Sequence, residues 1–482
     1  MKIIFLYPKW TSDYGSISHF AKKTAIYPPL NLAYLAAIAE KQGYQAKIID
    51  GEVENISCNQ MIEETIKFNP DLIGMTACTP FFHFVEEIAI NLKKKIPEVP
   101  IILGGPHITV LREEAFKDFF NYGFIGEADI SFSKFLESYR KKQDISEIPG
   151  ILYRKEKEIK YSGDVSLIED MDSLLTPAFH LLKMDKYKMG TLEGIKNFAP
   201  IMSIRGCPFK CIFCSTKMFG RNLRKRSPEL ILKDIKYLKE KFNINHFIFL
   251  DDTLTLDRNH IINICKLIIK ENLNITFEGT TRANLIDEEI TSIMKKAGLI
   301  RLSFGLESVD KEIRKTIRKE VPLESYIIAN KLTNKYKIET LNSCMIGLPG
   351  ETKNTIKKTL SFLRDSHEIK QANISIAVPY PGTELYEMAK NERNDLKLIT
   401  SDFSKFRRYN CATMKVGELT PEDLIKLQND AFASIYLPYW RWKPVIRKSG
   451  VYGLFLTFKR LFKSISYGHG ELIFINKNYW KK

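Results

Sequence analysis

The stretch Cys207-Pro208-Phe209-Lys210-Cys211-Ile212-Phe213-Cys214 constrains this chain more than any other. Its cysteines stand in a C-x-x-x-C-x-x-C spacing, directly after Ser203-Ile204-Arg205-Gly206. Cysteine thiolates are the usual ligands of iron–sulfur clusters, and this spacing lets Cys207, Cys211 and Cys214 converge on three irons of one [4Fe–4S] cluster. The fourth iron is then left without a protein ligand, open to a substrate or cofactor. Buried structural cysteines and part of a zinc site are the competing readings. Zinc would want a fourth Cys or His, and His180 and His246 are the nearest histidines.

The chain has 482 residues, too many for one ordinary core, so two or three domains are expected. Hydrophobic residues at 44% and charged ones at 27% make an ordinary globular balance. The apolar runs fall short of a membrane span. The start, Met1 to Pro8, is too short an apolar run for a secretory signal and suits a first buried strand. Of eight cysteines only three cluster; Cys58, Cys78, Cys265, Cys344 and Cys411 are scattered, which is no disulfide framework. A cytoplasmic, reducing location follows. The net charge of +16 suits nucleic acid, phosphorylated ligands or an anionic membrane, and equally a lysine-rich solvated surface.

Residues 1–140 alternate short apolar runs with helical patterns. The pattern predicts strands at 2–7, 46–50, 71–77, 100–104 and 122–125, and helices near 30–42, 58–68, 82–95 and 111–119. Such alternation argues for a parallel sheet covered on both faces, with ligands at the carboxyl ends of the strands. The unusual residues fall there: Pro28-Pro29-Leu30-Asn31, Thr76 to Pro80, Gly104-Gly105-Pro106-His107 and Gly126-Glu127-Ala128-Asp129. Glycine at such turns lets backbone approach a large ligand. Residues 141–199 read as a connector with a hairpin and no chemistry.

Residues 200–390 repeat strand and helix units: strands at 201–205, 246–250, 275–279, 299–305, 339–346 and 371–378, with helices between them. Six such strands make a partial (β/α)6 barrel, whose chemistry belongs in the loops after the strand ends. Asp251-Asp252, Arg282, Gly305-Leu306-Glu307-Ser308, Gly347-Leu348-Pro349-Gly350-Glu351 and Pro379-Tyr380-Pro381-Gly382-Thr383 occupy those loops. Three of them have structural competitors: a helix cap at Asp252 or Thr253, an ion pair at Arg282, a tight turn at Gly347.

The ordered motifs resemble those of cobalamin-binding radical S-adenosylmethionine (SAM) enzymes over roughly residues 1–390. The resemblance implies an N-terminal Rossmann-like (flavodoxin-like) cobalamin domain, an α/β radical SAM barrel and a mainly helical C-terminal region. It implies that Cys207, Cys211 and Cys214 hold the cluster and that SAM binds its open iron. Phe213, Asp251, Asp252, Arg282, Glu307, Ser308 and Gly347 would then line the SAM site, with Tyr380 in the active site. Pro29, Asn31, Thr76, Gly104, Gly105, His107, Gly126 and Glu127 would line the cobalamin site. The D-x-H-x-x-G motif that supplies an axial histidine in other cobalamin proteins is absent. A flavodoxin-like domain that only packs on the barrel is the competing reading. A methylthiotransferase is disfavoured, since Cys58 and Cys78 are too few for a second cluster.

In residues 391–482, Leu419-Thr420-Pro421-Glu422-Asp423 opens a helix with Thr420 as its cap. From Trp440 onward there are ten Lys or Arg and one acid, Glu471. Val451, Leu454, Phe455, Phe458, Leu461 and Phe462 share one helical face there. A basic amphipathic helix over 440–465 suits peripheral contact with an anionic membrane; the same stripe buried against the barrel is the competing reading. Nucleic acid is disfavoured, because no recognisable module accompanies the charge. By resemblance the chain cleaves SAM to methionine and a 5′-deoxyadenosyl radical and methylates an unactivated carbon of a small-molecule or lipid substrate. Electrons would come from a flavodoxin or ferredoxin. A ring-forming reaction of the anaerobic magnesium-protoporphyrin ester cyclase type is the second expectation, and a sensor without turnover the third.

Overall fold

A computed structural model describes residues 1–11, 26–189, 195, 197–215, 218–436, 438–442 and 479–481. The chain divides into two compact units, Met1–Pro208 with Ser215–His246, and Phe209–Cys214 with Phe247–Lys482.

In the first unit the elements run β1 (Lys2–Tyr7), α1 (Leu30–Lys41), β2 (Gln45–Asp50), α2 (Cys58–Phe68), β3 (Leu72–Thr76), α3 (Phe82–Lys95), β4 (Ile101–Gly104), α4 (Pro106–Leu111), β5 (Tyr122–Phe124) and α5 (Asp129–Lys141). The hairpin β6 (Ile151–Lys155) and β7 (Glu158–Tyr161) follows. The sheet order is β2-β1-β3-β4-β5-β6-β7. The first five strands are parallel and the hairpin joins antiparallel. This is the flavodoxin-like order, whose ligand crevice lies at the carboxyl ends beside the β1/β3 switch point. Local signals set the elements: Ser57 and Gln60 close a capping box on α2. Apolar residues of β1, β3, β4, α2 and α3 form the core.

One helix departs from expectation. The sequence predicts 111–119, whereas α4 starts at Pro106 and ends at Leu111, followed by a 3-10 turn at Arg112–Glu114. Gly105, at φ +97°, turns the chain, and Pro106 opens the helix with its ring already at helical φ. The strand expected at 201–205 is also broken, into β8 (Ala199–Ile201) and β9 (Ile204–Arg205). β9 pairs antiparallel with β10 (Arg224–Lys225), and α6 (Pro228–Phe242) follows.

The second unit carries β11 (His246–Phe249), α7 (Arg258–Lys270), β12 (Thr276–Thr281), α8 (Glu288–Lys296), β13 (Leu299–Glu307), α9 (Lys311–Thr316), α10 (Leu323–Lys335), β14 (Glu339–Ile346), α11 (Lys353–Asp365) and β15 (Gln371–Ile376). Its strands lie in chain order, β11 to β15, with parallel pairing from β12 to β15. Asp257, Asp287 and Thr352 cap α7, α8 and α11 through their side chains. Helix α12 (Glu384–Lys390), a two-stranded ribbon of β16 (Leu396–Leu398) and β17 (Met414–Val416), and α13 (Pro421–Tyr436) follow. Thr420 caps α13 by accepting the Asp423 N–H at 3.1 Å. No helix of the described residues is long and apolar enough to cross a membrane. Trp440 stacks on His367 at 4.7 Å, while the amphipathic stripe from Val451 to Phe462 lies outside the described residues.

Gly298 sits at φ +110°, and a Cβ there would collide with the Ile275 carbonyl oxygen. Gly298→Ala should lower unfolding stability by about 2 kcal/mol or more, read as a reduced urea midpoint.

Candidate functional site

At the carboxyl edge of the first sheet, Gly104 ends β4 and Gly105 follows it. A Cβ on Gly104 would meet only the Met75 carbonyl oxygen, at 3.9 Å, so the rim above it is open. A Cβ on Gly105 would lie 2.6 Å from Thr76 Oγ1 and 2.9 Å from the Ala77 nitrogen, so only glycine lets the two turns touch. Asn31 Nδ2 donates to Thr76 Oγ1 at 2.9 Å, tying the start of α1 to the end of β3. Pro29, buried, is the cap position of α1. Thr109, which the sequence did not single out, donates to the Gly105 carbonyl at 2.8 Å and accepts the Gly126 N–H at 2.9 Å. A hydroxyl thus braces the two glycine turns. The result is a glycine-lined rim with backbone exposed to a large ligand, and it fits a flat cofactor such as cobalamin.

Two expected contacts of that rim lie elsewhere. His107 is 1% exposed, its ring 4.1 Å from that of Phe82 and its Nδ1 3.3 Å from Thr79 Oγ1. It is a core residue, because Pro106 starts a helix that turns the next side chain inward. Glu127 is likewise buried, and arginines Arg205 and Arg224 engage its two oxygens.

In the second unit the residues around Cys211 form a charged recess. Arg282, after β12, is buried with its guanidinium 3.6 Å above the Phe209 ring, and its Nη1 lies 4.0 Å from Cys211 Sγ. Cys211 Sγ also lies 3.8 Å from the Arg318 carbonyl oxygen. The Ile212 N–H donates to the Ile317 carbonyl at 3.3 Å, and the Ile212 carbonyl accepts from Leu385 at 2.9 Å. Backbone on both sides therefore holds the second half of the cysteine loop.

Glu307 ends β13 at φ +62°, where the β13–β14 register shifts. Left-handed backbone in a residue other than glycine costs about 1–3 kcal/mol and persists where the surroundings demand it. Its carboxylate folds back over Gly305, into space that a Cβ on Gly305 would fill. Lys319 Nζ lies 3.4 Å from Glu307 Oε1. Burial raises the Glu307 carboxyl, and Lys319 and then Arg282 oppose that rise. Lys319 has no motif to mark it: it follows α9 and reaches the site only because Arg318, at φ +54°, reverses the chain.

The other expected residues differ in placement. Asp251 is buried, while Asp252 is exposed, its carboxyl raised by partial desolvation. Neither caps α7; Asp257 does. Ser308 is wholly buried, and its hydroxyl lies 3.3 Å from Thr359 Oγ1 and accepts the Asp310 N–H. The Gly347 N–H donates to Glu351 at 2.7 Å, and burial pushes the Glu351 carboxyl up to about 8. Phe213 is half-buried, as is Tyr380, whose carbonyl accepts from Thr383 Oγ1 at 2.6 Å.

Two family models match this chain: the B12 binding domain over residues 20–136 and the radical SAM superfamily over 201–363. An uncharacterised methyltransferase of Pyrococcus horikoshii is 32% identical over 91% of this chain and 93% of its own. The anaerobic magnesium-protoporphyrin IX monomethyl ester cyclase of Rubrivivax gelatinosus is 29% identical over 84% of this chain and 72% of its own. The radical SAM methyltransferase TsrM of Kitasatospora setae, solved with cobalamin and a [4Fe–4S] cluster, has a similar fold: TM-score 0.70, 14% identity, 92% of this chain and 89% of that one. The chain belongs to the cobalamin-binding radical SAM enzymes. Its cofactors are a [4Fe–4S] cluster, SAM and cobalamin.

The donor set fits the cluster. Cys207, Cys211 and Cys214 form no disulfide among the described residues; the first two are half-exposed and Cys214 is exposed. No three His, Cys, Asp or Glu among the described residues gather as ligands of a single metal ion. A cluster asks for a wider set, since each thiolate takes a different iron. SAM carries an ammonium, a carboxylate and a sulfonium, and the recess offers one buried carboxylate and two cations, Arg282 and Lys319.

Two measurements follow. Cys207→Ala, Cys211→Ala and Cys214→Ala should each cut reconstituted iron well below about four per chain, read by iron assay and by loss of the visible cluster band. Burial pushes the His107 imidazole down to about 4, and Lys117 adds to the effect. An unfolded histidine takes its proton near pH ~6.5, and the folded one refuses it until about pH 4. That stability is whole above pH ~6.5 and falls by about 3 kcal/mol as pH drops through the folded value. His107→Gln should flatten the loss between those pH values in urea unfolding of the apoprotein.

Proposed function

We propose that this enzyme methylates an unactivated carbon of a small-molecule or lipid substrate, with electrons supplied by a flavodoxin or ferredoxin. The observation that carries the reading is the similarity to the Pyrococcus methyltransferase across nearly the whole of both chains. The open rim at Gly104 supports it, because a methyl-carrying cobalamin needs backbone at close range. When bound, the cluster with SAM supplies a 5′-deoxyadenosyl radical, and cobalamin supplies the methyl group.

The chain's own residues bind, orient and shield. Cys207, Cys211 and Cys214 hold the cluster. Arg282 presents positive charge beside Cys211 and Lys319 beside Glu307, suited to the SAM carboxylate, while Glu307 presents the negative charge that suits the ammonium. Their burial strengthens both interactions, because few waters compete. Packing of Arg282 on Phe209 leaves its fork one orientation, so the charge is aimed before SAM arrives.

A second reading, ring formation or oxidation, is favoured by the similarity to the Rubrivivax cyclase. SAM with a deuterated methyl group separates the two when supplied, with reductant, to the anaerobically reconstituted enzyme and an extract of its source cells. Methylation should give a product heavier by one labelled methyl, with S-adenosylhomocysteine and 5′-deoxyadenosine in equal amounts. An unlabelled product with 5′-deoxyadenosine alone would establish the second reading instead.

A further inference from the structure

Four charged side chains meet deep in the first unit, and the reaction above uses none of them directly. Glu127 follows the Gly126 turn, Asp129 opens α5, Arg205 ends β9 and Arg224 begins β10. Their side chains are 2%, 10%, 4% and 3% exposed, in that order. Glu127 Oε1 accepts from Arg205 Nη1 at 2.8 Å, and Oε2 accepts from Arg224 Nη1 at 2.6 Å. Asp129 accepts from Arg205 Nη1 at 2.7 Å. Glu127 Oε2 also accepts the Ile168 N–H at 3.0 Å, and Arg224 donates to the Ile168 carbonyl at 2.8 Å. Two negative and two positive charges balance. Leaving one buried without partners would cost about 3–5 kcal/mol. Burial alone would lower the Arg205 guanidinium; Asp129 and then Glu127 outweigh it and hold it above the ordinary arginine range.

The location of this network matters more than its stability. Arg205 and Arg224 face each other across β9 and β10. β9 runs straight into Gly206 and Cys207. Gly206 has φ +95°, and a Cβ there would collide with the Asn222 carbonyl oxygen. The Cys207 N–H donates to the Gly220 carbonyl at 3.3 Å. Arg224 donates to the Phe219 carbonyl at 2.7 Å. The limb that carries Cys207 is thus pressed against residues 219–224, and one carboxylate pins both sides. A buried ion pair rarely adds stability over apolar packing; here it selects one arrangement of two short strands that have only four residues of ladder between them.

We propose that Glu127 is a positioning residue for the iron–sulfur cluster: its carboxylate does not touch cobalamin but, by holding Arg205 and Arg224, sets where Cys207 meets its iron. The proposal needs the cluster and SAM cleavage and not the methyl transfer, so it stands or falls apart from the identity of the product.

The test uses the full chain reconstituted anaerobically with iron, sulfide and hydroxocobalamin. Glu127→Gln keeps the shape and removes the charge. Cobalamin should survive desalting as in the unaltered chain. The EPR g-values of the reduced cluster, and their shift on adding SAM, should change. 5′-Deoxyadenosine should form about ten- to a hundredfold more slowly, the scale of a misplacement near 1 Å. Glu127→Asp, which keeps the charge and shortens the reach, should recover part of the signal and rate. Loss of cobalamin in Glu127→Gln overturns the proposal whatever the cluster does, and so does an unchanged EPR signal with an unchanged rate. If Glu127→Gln fails to fold by circular dichroism, Arg205→Lys carries the same readout: it keeps the charge and loses the fork, and an unchanged cluster signal in that variant overturns the proposal.

Discussion

Parallel strand pairing is the constraint on which the rest of this protein depends. Each parallel neighbour needs a crossover helix, so both faces of the sheet are covered and strand interiors must be apolar. All five residues of β3 are buried, as are the four central residues of β1. A polar group in those strands would lose water without gaining a partner. Chemistry is therefore pushed to the carboxyl ends, where the backbone leaves the ladder. Thr76, Gly104 and Gly105 stand at such ends in the first unit, and Arg282 and Glu307 in the second.

At those ends the protein meets the cost of burying charge in two ways. Around Glu307 it leaves the charge incompletely balanced: one carboxylate in a left-handed turn, Lys319 at 3.4 Å, and a carboxyl raised by burial. A buried carboxyl with a raised pKa among unequal charges is the kind of group found at functional sites. Around Glu127 the charges balance, with two arginines set against two carboxylates. A charge-balanced network has little net charge to offer a ligand, but it favours one geometry. The same residue type thus stands in two different settings, and the difference lies in what surrounds it.

Much of the fold was legible because hydrophobic period and cap chemistry are local. Helices Cys58–Phe68, Phe82–Lys95 and Pro228–Phe242 and strands Lys2–Tyr7 and Glu339–Ile346 fall where their patterns put them. The misreadings were local as well. The apolar pattern after Leu111 suggested a helix, but Pro106 starts one five residues earlier, and the chain turns at Arg112 with φ +48°. The run 201–205 looked like one strand and is two: the Ser203 carbonyl accepts from the Arg226 N–H, and Ile204–Arg205 pair antiparallel with Arg224–Lys225, a partner distant in sequence.

The site divides along the same line. The order of motifs along the chain determined the class of enzyme, the cysteine loop and the glycine turns, since each depends on neighbours within a few residues. Gly305 before Glu307 is such a case: the missing Cβ is the space that the carboxylate fills. Partners distant in sequence were decided by tertiary structure alone. Lys319 beside Glu307, Phe209 under Arg282, His107 against Phe82 and Arg224 on Glu127 have no signature in the chain, the last pair being 97 residues apart. Whether a carboxylate or imidazole is free to bind depends on which groups folding brings within about 3 Å, the reach of a hydrogen bond. Spacing along a chain carries no record of that distance.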